Sequence, residues 1–230
     1  MNPGEISTLL RGDVAAIAAW SARTDAGRLA LHLVVIVLGA GLYGAAMGCW
    51  RAPEQALFVA VKFPLIILLT TLGNALINGM FAPLLGLNIP FRQSLYVVMM
   101  SFCITSAILG AFSPLLAFMI WNAPGLGSTA ISDTTYDFIV LVQVAVIAVA
   151  GVTGNVRLFQ LLKQLAGNRA TAWRVLLAWL AVNLLLGSQL SWNLRPFIGS
   201  PTLPVQFFRP DALHGNFFEA VWTSIQQIFH

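Results

Sequence analysis

An all-α bundle of membrane-crossing helices is the fold that the sequence predicts, on three observations. Hydrophobic residues make up 58% of the 230 residues and charged ones only 9%, against about a quarter charged in soluble domains. Several apolar runs approach or exceed the ~20 residues that carry a helix across a bilayer. The basic residues segregate by loop instead of clustering, so the net charge of +4 points to membrane topology and not to nucleic acid. The expected architecture is a polytopic integral membrane bundle of five transmembrane helices, with interfacial amphipathic helices at both ends.

Residues 1–28 carry Ile6, Leu9, Leu10, Val14, Ile17 and Trp20 at helical spacing, with Arg11 and Asp13 between them. That is the pattern of an amphipathic helix lying along the cytoplasmic surface of a membrane. Glu5 and Asp13 spoil a signal-peptide n-region, so the segment is expected to be retained. The first span, about 29–50, contains Ala40, Gly44 and Gly48, a ladder of small residues that lets another helix approach. His32, a turn inside its boundary, is either a hydrogen-bonded interfacial residue or a candidate ligand for a pigment or haem. No second intramembrane His completes a bis-His site.

Arg51, Pro53 and Glu54 form a short connection. Residues 55–62 are expected in the interface, because Pro64 is best tolerated in the first turn of a helix. The second span is then about 64–82, with Lys62 snorkelling at its mouth. Lys62, Thr70, Asn74 and Asn78 stand at multiples of four and so share one side of a helix. Hydrocarbon offers amide side chains no partner, so this side should face protein or a wet cavity. The seam is either interhelical bonding or the lining of a solute path. Gln143, Asn183 and Gln189 on later spans join it under both readings.

The third run, 94–121, would extend about 42 Å as unbroken helix, against a hydrocarbon core of about 30 Å. Pro114 is expected to kink it, bending the last turns into the interface. The linker 122–135 is rich in Gly, Ser and Thr. The fourth span, 136–158, continues as a helical pattern through Leu165 and stops at Gly167-Asn168. Asp133 and Asp137 beside Tyr136 read as acids at a helix start, or as a cation-holding pair. The fifth span is about 172–192.

Residues 193–230 begin with four prolines in fifteen residues, Pro196 to Pro210, which forbid a helix. Asn216 can then cap a final helix, with Glu219 three residues on completing a capping box. That helix places Phe218, Val221, Trp222, Ile225 and Phe229 on one face and Ser224, Gln226 and Gln227 on the other. Its polar face lacks Lys and Arg, so it is expected to pack on span ends or on another protein. Arg195, Pro196, Phe197, Phe208, Arg209 and Trp222 form the expected partner-docking cap.

The loop between spans four and five holds Arg157, Lys163, Arg169 and Arg174 and no acid, which assigns it to the cytoplasm. Alternation then puts the amino terminus inside and the carboxyl terminus outside. Trp50, Trp121 and Trp192 fall at the outer boundary, and Trp20 and Trp173 at the inner one, as aromatic belts require.

Catalytic parts are missing from the sequence. There is no intramembrane carboxylate pair, H-E-x-x-H, C-x-x-C, G-x-S-x-G or Walker pattern. Cys49 and Cys103 give neither a disulfide framework nor metal spacing. An enzyme would have to be assembled from Lys62, Arg195 and Asp211. No enzyme, metal or cofactor is therefore expected. The partners expected are the lipid bilayer and other membrane subunits, in a homo- or hetero-oligomer.

Two stretches carry a resemblance: Lys62-Phe63-Pro64-Leu65, and the box Leu194–Pro201 followed by Val205-Gln206-Phe207-Phe208-Arg209 and Gly215-Asn216. Together they resemble a group of uncharacterised bacterial multi-pass membrane proteins, over most of the chain. The five-span plan with its amino terminus inside also resembles the Yip family of membrane-trafficking factors, in architecture alone. The first resemblance implies a bacterial inner membrane and brings no catalytic residue with it. The function expected is that of a non-catalytic subunit or assembly partner in a larger membrane complex. A small-solute channel or transporter lined by the seam, and a pigment- or haem-associated subunit through His32, are the alternatives.

Overall fold

A computed structural model describes residues 4–23, 25–124, 133–199 and 204–229. The expectations for most of the linker 122–135, for the side chains of Asp133, Tyr136, Asp137, Ser224, Ile225, Gln227 and Phe229, and for Ser200 and Pro201 lie outside the residues or side chains described. The described residues form helices and connections with no strand. The helices are α1 (Gly4–Arg11), α2 (Val14–Ala22), α3 (Ala26–Gly48), α4 (Pro53–Leu84), α5 (Phe91–Trp121), α6 (Asp133–Ala166), α7 (Arg169–Leu194) and α8 (Phe217–Phe229). Five of them, α3 to α7, are long and apolar enough to cross a membrane.

The amino-terminal segment is two helices, not the one expected. Gly12, at φ +75°, turns the chain between them, and Asp13 caps α2 by accepting from the Ala16 N–H. The pair is docked on the bundle end. Leu9 and Ile17 are buried in its main apolar core, and Arg28 on α3 pairs with Glu5 at 3.3 Å. Arg157 on α6 donates to the Leu10 carbonyl at 3.2 Å. A Cβ on Gly12 would meet the movable end of that guanidinium, so it is the backbone angle that calls for glycine at this turn.

The second long helix corrects the sequence expectation more sharply. Pro53, not Pro64, sits in the first turn, following Ala52 in an extended conformation. Residues 55–62 are therefore helix, and Pro64 lies inside it, as neighbouring helices permit within a bundle. Lys62 does not snorkel; it is fully buried in the helix interior. The helix α5 likewise runs unbroken through Pro114. The missing proline N–H frees the carbonyl of Gly110, and the Ser113 hydroxyl donates to that oxygen at 2.7 Å in its place.

The five long helices touch in a ring, α3–α4–α7–α6–α5, and α4 and α5 also touch across it. The ring is thus divided into a tight triangle (α3, α4, α5) and a wider four-sided space (α4, α5, α6, α7). Glycines explain the tightness. A Cβ on Gly44 would lie 2.5 Å from the Val59 carbonyl oxygen, and one on Gly48 would lie 2.6 Å from that of Gln55. The ladder of Ala40, Gly44 and Gly48 is buried, and its two glycines are spent on contact with α4. The helix that approaches them is α4 of the same chain, so they are not free to receive a partner helix. Gly39 and Gly110 bring α3 and α5 equally close, a contact the sequence reading missed.

Candidate functional site

The polar seam divides among three tasks. At the α8 end of the bundle, the chain after α7 folds over α4 and is pinned by buried side chains. Gln55 donates to the carbonyls of Pro196 at 2.9 Å and Phe197 at 3.0 Å. Lys62 Nζ donates to Pro196 O at 3.3 Å and stands 5.0 Å from the centre of the Phe207 ring. Phe58 meets Phe207, and Phe63 meets Phe197, both edge-on. Arg195 completes the clamp: it donates to the Trp192 carbonyl at 2.8 Å, pairs with Asp211 at 3.0 Å, and lies over the Trp192 ring. A small cavity of about 300 Å³ is lined by Arg195, Pro196, Phe197, Gly199, Arg209 and their neighbours.

Further down α4, Asn74 donates to Asn183 Oδ1 and to the Trp179 carbonyl on α7. Asn78 is fully buried and lines neither cavity. The Asn74 bonds sit inside the α4–α7 contact, where bonds of this kind contribute roughly 0.6 kcal/mol, reaching 1.7 at most; both polar side-chain atoms of Asn78 are buried without a partner. Thr70 lines a second cavity, the four-sided space between α4, α5, α6 and α7, of about 490 Å³, which Lys62, Asn74 and Asn78 do not line. Asn183 lines it from the adjoining α7 wall.

The other expected residues are placed as follows. Gln143 is buried, and its backbone carbonyl accepts from Tyr43 at 3.3 Å. Gln189 works as a strut: it donates to Asn193 at 3.0 Å and accepts from the Phe217 N–H at 3.3 Å, which fixes the start of α8. The capping box forms as expected, Asn216 accepting from Glu219 N at 2.8 Å and Glu219 accepting from Asn216 N at 3.3 Å. His32 is buried against the Tyr96 ring, with centroids 5.1 Å apart, and lines neither cavity. Phe208 and Trp222 of the cap are exposed, joined by Leu213 and Phe218.

Sequence reasoning missed Gln55 and most of the cleft wall. The signal was present in α7, where Leu180, Asn183, Leu184, Gly187, Ser188 and Ser191 recur at steps of three and four and so form one face.

The fold and this arrangement define a class: a helical protein with five helices suited to crossing a membrane, closed at one end by a clamped aromatic cap. Comparison with protein-family models, with curated proteins and with solved structures returns no match.

Proposed function

We propose that this chain is a non-catalytic integral membrane protein, a subunit or assembly partner of a larger membrane complex. It would sit in a bacterial inner membrane, amino terminus in the cytoplasm and carboxyl terminus in the periplasm. The observation that carries the reading is the cap. Buried side chains, Gln55 and Lys62, hold its backbone to α4, while Phe208, Leu213, Phe218 and Trp222 are left facing outward. A surface that is both held in place and apolar suits docking, because little ordering cost remains to be met on binding.

Native mass spectrometry after extraction in a mild detergent tests the proposal. A stable homo- or hetero-oligomer is expected, and Trp222→Glu should dissociate it. A monodisperse monomer under these conditions overturns it. The orientation rests on the segregation of basic residues. In a Cys49→Ser background, Gln226→Cys should react with an impermeant maleimide from outside intact cells and Ser7→Cys should not. The reverse pattern inverts the assignment.

A further inference from the structure

We propose that the four-sided cleft between α4, α5, α6 and α7 is a binding site for an uncharged, hydroxyl-bearing lipid that enters sideways from the bilayer. The proposal rests on α3 to α7 being membrane spans. It is otherwise independent of the docking cap.

The volume of about 490 Å³ lies in the range of small-molecule sites, about 300–1,000 Å³. The walls are mainly hydrocarbon, from Phe63, Phe102, Leu109, Ile147 and Leu184 among others, and no Asp, Glu, Lys or Arg lines them. An ionised head would lie there without a counter-charge, in a medium that penalises it heavily. Two buried side-chain atoms of residues on these walls nevertheless have no protein partner. Thr70 is 3% exposed, and its hydroxyl has no hydrogen-bond partner. Asn155 spends its amide N–H on the Gly151 carbonyl at 2.8 Å, which leaves its buried Oδ1 without a donor.

A plain hydrocarbon chain in the cleft would leave both atoms unpaired. A molecule with an O–H group can donate to Asn155 Oδ1, and an oxygen on the same molecule can accept from Thr70. The complement of these walls is therefore a long-chain alcohol or a neutral glyceride, and not a fatty-acid anion or a phospholipid head. The reach fits as well. From Leu180 to Ser191 the α7 wall rises about 16 Å, close to half of a hydrocarbon core about 30 Å thick. We place the entrance on the lateral side, where α6 and α7 are the least covered of the five long helices, with 22% and 17% of their apolar windows buried.

The test uses the full chain in phosphatidylcholine vesicles with a diazirine-bearing C18 alcohol, adducts being located by mass spectrometry. Adducts should concentrate on the cleft walls of α6 and α7, and unlabelled octadecanol should compete at least tenfold better than octadecane or stearate. Gly151→Phe should remove most of the labelling: a Cβ there meets nothing within 4 Å, so the ring fills the cleft without disturbing backbone. Thr70→Val and Asn155→Leu should each lower the alcohol-over-alkane preference, by about threefold to tenfold for one lost hydrogen bond.

Adducts spread evenly around the long helices, equal competition by octadecane, or undiminished labelling of a folded Gly151→Phe protein each overturn the proposal. Should Gly151→Phe not fold, Gly187→Val, whose Cβ has only ordinary contacts with Thr70, decides by the same measure. A generic photoreactive hydrocarbon included in the vesicles separates the two levels of failure. If it labels no helix, the membrane reading itself falls; if it labels the bundle but the alcohol shows no preference for the cleft, only the site does.

Discussion

Leucine in place of Gly39 is expected to abolish the folded protein. A Cβ at that position would run into the Ser106 carbonyl oxygen and lie 2.7 Å from its carbon, while a Cβ on Gly110 would lie 2.8 Å from the Gly39 Cα. These obstacles are main chain, not the far end of a flexible side chain, so neither helix can yield without moving as a whole. Overpacking an ordinary core costs about 1–3 kcal/mol. A rigid backbone collision in the middle of the α3–α5 contact should exceed that. The measurement is the monodisperse fraction on size-exclusion chromatography, with thermal unfolding of whatever remains. Gly151→Leu is the internal control, because that position faces open space. Equal behaviour of the two variants would show that close approach of α3 and α5 does not hold the bundle together.

The second large effect is expected at Gln55. Its side-chain amide serves two carbonyls of the loop after α7, at 2.9 and 3.0 Å, and the residue is fully buried. Gln55→Leu keeps the volume and deletes both donors; the Pro196 carbonyl keeps Lys62 Nζ, so the Phe197 carbonyl is the acceptor left without its partner. At about 1–3 kcal/mol for one acceptor left unpaired, and with the unpartnered Gln55 Oε1 removed at the same time, the loss should be about 1–2 kcal/mol. It should appear first as local release of the cap. Limited proteolysis between residues 195 and 216 is expected to accelerate well before the bundle unfolds. Gln55→Glu separates the loss of a donor from the loss of shape, since it keeps the length but replaces the N–H by an acceptor. A Gln55→Leu protein as protease-resistant as the parent would remove the clamp from the account of the cap.

The outline of the molecule was legible in the sequence, and its internal contacts much less so. Runs of apolar residues announce the long helices through composition alone, and the Asn216–Glu219 box announces α8 through spacing. The start of α4 was misplaced because two prolines competed for the role of first-turn residue. Pro53 prevailed, since the neighbouring helices stabilise Pro64 inside a helix, something local preference does not register. Burial of Lys62 was hidden for the same reason: its cover, Pro196 and Phe207, lies more than 130 residues away in the chain. The ladder Ala40, Gly44, Gly48 was read correctly as a surface of close approach. Whether α4 or another molecule occupied it depended on tertiary geometry. The cleft was invisible because it belongs to no single helix, although the small and polar face of α7 carried half of its description.

The uneven division of the ring has a consequence for biogenesis. A chain made from its amino terminus delivers α3, α4 and α5 first, and their closest approaches, at Gly39, Gly44, Gly48 and Gly110, involve no later residue. The triangle can therefore settle while the rest is still being synthesised. The hairpin of α6 and α7, hinged at Gly167 and Asn168, then arrives as a late addition against a finished wall. Such an order leaves the wide side of the molecule as the last to close.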